Sequence, residues 1–398
     1  MKLRLNSEAK ILILLNAIHS IVGTFFGTFL IAYIMQISDN EAVALSVYNI
    51  AFFTAVAFGF LILADYVKRR EKMFVYRFSV IIQFLLLAAI ARLGDSISPY
   101  IAIFGAVYGL AMAFRHCPLN IITGEKIKKK IMAPFIGYRA TIGGVVAVMT
   151  PALLGLFITA GSYEEMAIAM CVFLVVEFFL SFFLHSKGAS DQKFGLACFV
   201  SSAKRSILIR RVYLIEFLGG FSLYGPLGVV LTMFTIYLFH TNLLLGILSS
   251  SFAAVAIAAN FLFGRFGKPA AFPKMLLFSN ILIGAAALAF VGFSGAITFV
   301  IYQLAVATAL KFIDNVQATN FMNASNSACV GKDSRAEFFV AGEMVLNMGR
   351  ILSFLILFTI GFSGHIEWLK YYLALMTMCI IAAGLIGVKI CRHGLCNR

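Results

Sequence analysis

Residues 53–69, FTAVAFGFLILADYVKR, place an apolar run directly before a short basic loop. Residues 252–268, FAAVAIAANFLFGRFGK, repeat this pattern at a shift of 199 positions (252 against 53), which is half of the 398-residue chain. Phe53–Ala57 align with Phe252–Ala256 in this register, and both stretches end in Lys or Arg. A midpoint shift that aligns two apolar runs and two basic loops predicts a parallel repeat of two similar halves.

The composition of the chain predicts an all-α integral membrane protein. Hydrophobic residues make up 62% of it, charged residues only 12%, and its mean hydropathy is +0.97. A soluble chain of this length has too little core to bury so much apolar surface. Because a span needs about 20 apolar residues, we predict twelve helices near residues 11–35, 43–64, 74–92, 101–123, 134–160, 166–186, 212–239, 243–263, 275–292, 296–319, 337–361 and 366–390. The first run is too long for a signal-peptide core, so we expect it to be retained.

The positions of Lys and Arg predict which side of the membrane each loop faces. Outside the predicted helices, Lys and Arg lie in the two terminal segments and in every second loop, which are all on one side of the membrane. The opposite side has only Arg92 and Lys370, at helix ends. Cytoplasmic loops collect Lys and Arg, so both termini are expected in the cytoplasm. This asymmetry also explains the net charge of +15 without nucleic acid as a partner.

The cysteines and the known catalytic motifs give no indication of a cofactor, a metal site or an enzyme. The seven Cys are scattered, without a Cys-x-x-Cys pair, which excludes a recognisable disulfide framework or zinc site. The sequence contains no phosphate-binding loop, no Gly-x-Ser-x-Gly elbow and no His-Glu-x-x-His. We therefore expect no cofactor, no metal and no enzymatic activity.

The longest basic loop predicts the domain boundaries: a six-helix bundle at 1–186, a central cytoplasmic loop at 187–211 and a second six-helix bundle at 212–398. The loop after the second helix carries Leu63, Ala64, Asp65, Arg69 and Arg70 in the order of a transporter motif. With the repeat, this motif makes the whole chain resemble the major facilitator superfamily, whose fold has two pseudo-symmetric six-helix bundles. The loop departs from the family motif at both of its glycines and at its first Arg.

The resemblance implies roles for the motif residues. In the family, this loop holds the cytoplasmic side shut, and its Arg pairs with an acid at the end of the fourth helix. Asp65, Arg69, Arg70 and Glu125 are therefore a candidate gate, although the basic run from Lys68 to Lys72 could serve only as a membrane anchor. Pro151, which follows Gly143 and Gly144, loosely matches a bend in the fifth helix of the family's antiporters; ordinary helix packing explains the same residues.

Ionisable residues inside the apolar helices are the candidates for substrate binding and proton coupling, because each is costly at membrane depth. Arg115 and Asp314 occupy equivalent positions in the two halves, and Arg139 and Glu343 lie at nearly equal depth. They are either structural ion pairs or groups that bind an ionic substrate or a proton. Two further candidates follow from spacing: Lys311 lies three residues before Asp314, and Arg350 lies on one helical stripe with Glu343. His19 in the first helix is the last candidate, because histidine can exchange protons near neutral pH.

The resemblance implies a secondary active transporter in the cytoplasmic membrane of a bacterium. We expect proton-coupled efflux, by antiport, of a small and in one interpretation amphipathic compound, with the two halves rocking about a central cavity. Its partners would be this substrate, protons and the lipid bilayer, and it would act as a monomer. Symport of a small anionic metabolite and lipid flipping on the same fold stay open as alternatives.

Overall fold

Helices form nearly the whole of the described chain. A computed structural model describes residues 7–69, 71–126, 129–184, 195–196, 206–325 and 335–392, and these ranges contain no strand. Its α-helices are α1 (Ser7–Thr24), α2 (Leu30–Gln36), α3 (Glu41–Arg69), α4 (Lys72–Leu93), α5 (Ile101–Lys126), α6 (Lys129–Ala160), α7 (Tyr163–Ser181), α8 (Ile207–Phe221), α9 (Pro226–Phe239), α10 (Asn242–Phe266), α11 (Phe272–Phe293), α12 (Ala296–Ser325), α13 (Arg335–Ser363) and α14 (Leu369–Arg392).

Ten helical stretches among the described residues are long and apolar enough to cross a membrane. One of them, Lys72–Leu119, contains α4 and most of α5, which a 3-10 helix at Gly94–Tyr100 separates. The helix α7 is not among the ten, and it carries Glu164, Glu165 and Glu177. The predicted all-helical membrane architecture is confirmed, whereas the exact number of twelve spans stays a prediction.

Packing divides the chain into two compact units. Unit 1 comprises Met1–Lys193 and Thr235–Ser251, and unit 2 comprises Phe194–Phe234 and Phe252–Arg398. Unit 1 therefore includes the end of α9 and the beginning of α10 in addition to the helices before residue 193. The predicted central loop, residues 187–211, falls largely outside the described residues, so its boundaries stay predictions.

Two glycines on one face of α5 bring it close to α3 in unit 1. A Cβ atom added at Gly105 would lie 2.2 Å from the carbonyl oxygen of Tyr48, and one added at Gly109 would lie 2.2 Å from that of Phe52. Glycines four residues apart line one helix face and let two backbones approach, which drives helix association where lipid gives no hydrophobic advantage. This contact fixes the rotation of α5 about its axis, and with it the side of the helix from which Arg115 extends.

The helix predicted at 212–239 is not continuous, which corrects the sequence prediction. It is broken into α8 and α9 at residues 222–225, where Gly225 has a φ of 135° and is followed by Pro226. A residue with a side chain rarely adopts that φ, and proline cannot donate to the preceding turn. The first predicted helix is also irregular, because a π-helical segment, Phe25–Phe29, joins α1 to α2.

Candidate functional site

A fully buried carboxylate, Glu177 of α7, is the centre of a polar cluster in unit 1. Tyr76 of α4 donates a hydrogen bond of 2.5 Å from its hydroxyl to Glu177 Oε1. Arg115 of α5 donates from Nε to the same oxygen at 3.4 Å. His19 of α1 places its Nδ1 atom 3.6 Å from Glu177 Oε2. Four helices of unit 1 therefore direct one ionisable side chain each to a single point, which we call the Glu177 cluster.

The Glu177 cluster is shielded from solvent by the residues around it. Arg115 is 2% exposed and Glu177 is 0% exposed. The guanidinium of Arg115 lies 5.8 Å from the ring centroid of Tyr76, a distance at which a cation is attracted by an aromatic face. Tyr108 of α5 stacks on Phe26 of the π-helical segment at a centroid distance of 4.1 Å. The negative charge of Glu177 is thus balanced by Arg115 at a site with little solvent screening.

Unit 2 contains a second group of charges, around the break between α8 and α9. Tyr224, which lies in the break, donates from its hydroxyl to Asp314 Oδ1 at 3.2 Å. Lys311 Nζ lies 3.7 Å from Asp314 Oδ2, and these side chains are 37% and 28% exposed. The i,i+3 ion pair proposed from the sequence is therefore present on α12. It lies at the border of the interior, unlike the fully buried Glu177 cluster.

The backbone of this break is held by Arg350 of α13. Its Nε atom donates to the carbonyl oxygen of Tyr224 at 2.5 Å, and its Nη1 atom donates to Asn347 Oδ1 at 2.8 Å. Arg350 also interacts electrostatically with Glu216 of α8 and Glu343 of α13. Acids and bases from three helices thus surround an interrupted helix; we call this set the break cluster, and it consists of Glu216, Tyr224, Lys311, Asp314, Glu343 and Arg350.

Two of the other predicted residues, Arg139 and Asp65, lie within the described part of unit 1. Arg139 is exposed on α6, with its guanidinium 5.9 Å from the ring centroid of Phe135. Asp65 is half-buried on α3. Of the predicted gate partners of Asp65, Arg70 and the side chains of Arg69 and Glu125 lie outside what the structure describes. The cytoplasmic gate therefore stays a prediction.

Pro151 lies where α6 packs closely against α10 within unit 1. A Cβ atom added at Gly246 would lie 2.4 Å from the carbonyl oxygen of Pro151. One turn further along α6, a Cβ atom at Gly155 would lie 2.7 Å from the carbonyl oxygen of Asn242. The Ser250 hydroxyl accepts a 2.9 Å hydrogen bond from the backbone N–H of Ala152. The contact of α6 with residues 242–250 therefore depends on glycine at both positions.

We expect Gly246→Val to separate α6 from α10, because the new side chain would meet the Pro151 carbonyl well inside contact distance. A disulfide between Cys residues introduced at Ala152 and Ser250, in a background without the native Cys, measures this contact. Cross-linking should be efficient in the parent and reduced by Gly246→Val. Gly228→Val is the matched control, since a Cβ atom there meets no atom within 4 Å. Equal cross-linking in all three proteins would contradict this account.

Comparisons with known proteins agree with the predicted fold. No family model matches the chain. It is 22% identical over 361 residues to the uncharacterised protein YqgE of Bacillus subtilis strain 168, a match that covers 88% of this chain and 82% of that protein. A bacterial homologue of the iron transporter ferroportin, in an inward-facing state, superposes with a TM-score of 0.70 at 15% identity and covers 98% of both chains.

Two further solved structures have the same architecture. A POT family transporter in complex with 5-aminolevulinic acid gives a TM-score of 0.69 at 11% identity, covering 98% of this chain and 97% of that one. A D-xylose-proton symporter gives 0.68 at 11% identity, covering 96% of each chain. The chain has the major facilitator fold. The family resemblance drawn from the sequence is thereby confirmed at the level of the fold, and the three solved structures named here are transporters rather than enzymes.

Sequence reasoning missed the centre of each cluster. It identified Arg115 and His19 but did not include Glu177 among the candidates, since the separation of 62 positions between Arg115 and Glu177 hides their contact. It also did not assign Tyr76 or Tyr224 to a site. The dipeptide Gly225-Pro226 inside an apolar run was the available signal for Tyr224, because this pair of residues marks a break in a helix.

Proposed function

We propose that the chain is a proton-coupled secondary transporter that exports a small amphipathic compound by alternating access. The observation that carries this proposal is the break cluster, in which three acids and two bases gather at an interrupted apolar helix. A charge at membrane depth costs about 2.5–3.5 kcal/mol on insertion scales. Keeping several charges at one place supports a role in binding a proton and an ionic group.

The interrupted helix supports a binding role for the same place. Irregular backbone within a membrane is tolerated where it is buried in protein or lines a water-filled cavity. In transporters, substrate and coupling ions are typically bound beside such discontinuous helices. Tyr224 connects the helix break to the charged side chains. Its carbonyl oxygen accepts a hydrogen bond from Arg350, and its hydroxyl donates one to Asp314. A change in the charge of Asp314 would act directly on the geometry of the break.

Two alternatives remain candidates. Proton symport of a small anionic metabolite is favoured by Lys311 and Arg350, which are cations within the break cluster, and one protein of the same fold is a D-xylose-proton symporter. Arg115 does not support this alternative, since it is buried against Glu177 in unit 1. Lipid flipping on the same fold is the second alternative.

A flux assay in proteoliposomes separates these functions. A pH jump is applied, and a panel of cationic amphipathic dyes, small organic acids and labelled phospholipids is followed. Efflux predicts that a dye moves against an opposing proton flow; symport predicts that an organic acid and protons move together; and a flippase moves the labelled lipid. Absence of movement for every compound in a folded protein would contradict the transporter proposal.

We also propose that the protein is a monomer in the cytoplasmic membrane of a bacterium, with both termini inside. The alternation of Lys and Arg between loops supports this orientation. Single Cys residues placed at Lys187 or Arg398, in a background without native Cys, should resist a membrane-impermeant thiol reagent in intact cells. Labelling from outside at either position would overturn the topology.

A further inference from the structure

The Glu177 cluster has a chemical asymmetry that the proposed export mechanism does not use. Tyr76 and Arg115 both bind Oε1 of Glu177, whereas Oε2 has no hydrogen-bond partner among the described residues. Neither ring nitrogen of the buried His19 has one within that part of the chain. His19 Nδ1 is the group that faces Oε2, at 3.6 Å. We propose that His19 and Glu177 form a protonation site, in which His19 takes up the proton and then donates a hydrogen bond to Oε2.

The distance between His19 Nδ1 and Glu177 Oε2 is slightly longer than that of a hydrogen bond. A hydrogen bond between nitrogen and oxygen spans 2.7–3.2 Å, and one between charged partners about 2.7–2.9 Å. The separation of 3.6 Å therefore lies less than about 1 Å beyond a charge-assisted bond. A small displacement of α1 towards α7 closes this gap, while Tyr76 and Arg115 keep the carboxylate in place.

The charges of the cluster determine which group takes the proton. Arg115 and Glu177 already form a neutral pair, so a proton on Glu177 would leave the guanidinium buried without a counter-charge, which is strongly destabilising. A proton on His19 instead keeps that pair and adds a donor for the free oxygen Oε2. Because Arg115 also repels a charged imidazole, proton uptake favours the arrangement in which His19 lies nearest to Oε2. Protonation and the position of α1 are therefore linked.

The charged groups that act on His19 are Arg115 of α5 and Glu177 of α7. Tyr76 of α4 and Tyr108 of α5 interact in turn with these two charged groups. The helix α6 also packs against α1, and its Arg139 is exposed on the surface. The regular α-helix ends six residues after His19, where the π-helical segment Phe25–Phe29 begins. A shift of α1 can be taken up at this segment. Such segments often mark functional positions in helices.

The test is a pH titration of the purified protein in lipid nanodiscs, with histidine labelled by ¹⁵N. The chain has six His, so the signal of His19 is identified as the one lost in His19→Gln. We expect this signal to change from the neutral to the protonated form between about pH 8 and pH 5. A solid-state NMR measurement should show the distance from His19 Nδ1 to the Glu177 carboxyl oxygen shortening on acidification, to about 2.8 Å.

Variants make the assignment specific to this pair. Glu177→Gln removes the negative charge, so protonated His19 should be less populated at every pH. Should that variant fail to fold, Tyr76→Phe should raise the protonated population, because the carboxylate loses a donor and its charge becomes more available to His19. Asn49→Ser is the control; Asn49 is also buried in unit 1, where it donates to the carbonyl of Leu45. It should leave the titration unchanged.

A His19 signal that stays constant over this pH range, or is unaffected by both cluster variants, would overturn the inference. The inference rests on the proposed proton-coupled transport for its physiological meaning. The titration itself uses no substrate, so a failure to transport any compound and a failure of His19 to titrate are separate results.

Discussion

Arg115→Met and Glu177→Leu, introduced singly, should each prevent the chain from accumulating in a well-folded form, whereas the double variant should recover much of the loss. Each single change leaves one buried charge of the 3.4 Å pair without its partner. Breaking a buried ion pair in this way costs about 3–5 kcal/mol, while replacing both partners by apolar groups of similar volume is often neutral. The measurements are monodisperse yield in detergent and melting temperature.

Arg77→Met provides the matched control for this double-variant cycle. Arg77 is a half-buried arginine on α4 whose partners are neutral, namely the hydroxyl and carbonyl of Ser181 and the ring of Phe182. Its replacement leaves no ionised group buried alone, so a much smaller loss is expected. If Arg115→Met and Glu177→Leu have additive effects, the two residues do not interact as a pair. The structural account of the Glu177 cluster would then fail.

The fold could be predicted from the sequence, whereas the partner of Arg115 could not. Composition, charge asymmetry and the midpoint repeat predict the fold, because these properties are summed over many residues and tolerate local errors. Equal depth in the membrane suggested that Arg115 would meet a carboxylate of the other half. The structure instead gives Arg115 a partner on α7. Depth follows from position along the chain, but pairing depends on the rotation of each helix about its axis, which close contacts such as Gly105 and Gly109 against α3 decide.

Backbone irregularities were harder to predict for a related reason. A hydropathy analysis averages over a window of residues. A break in the backbone hydrogen bonding at residues 222–225 does not change that average, so the apolar run looks continuous. Only Gly225-Pro226 indicates the break locally. The π-helical segment at Phe25–Phe29 has no comparable marker. Both irregularities lie next to a candidate site, which is where local rules are most often broken for function.

Asp314→Asn and Glu343→Gln should abolish accumulation driven by a pH gradient while still permitting substrate exchange or downhill flux at normal expression. One exchanged proton per substrate supports about tenfold accumulation per pH unit, because tenfold corresponds to 1.36 kcal/mol. A neutral amide at a coupling position removes that dependence entirely. The half-exposed setting of Asp314, with Lys311 37% exposed, should let the chain fold without this charge, unlike at Glu177.

Asn315→Ser on the same helix is the control for this prediction, since Asn315 donates to Asn260 Oδ1 and belongs to neither cluster. It should accumulate substrate as the parent does. In the proposed transport cycle, movement of the break would change the contacts of Asp314 with Tyr224 and Lys311, so the affinity of Asp314 for a proton would differ between the two states of the cycle. If both acid variants still accumulate substrate in response to a pH gradient, neither carboxylate couples transport to protons. If both fail to express while Asn315→Ser does not, the acids of the break cluster are structural ion-pair partners, and the coupling proton must be sought elsewhere, with His19 as the next residue to test.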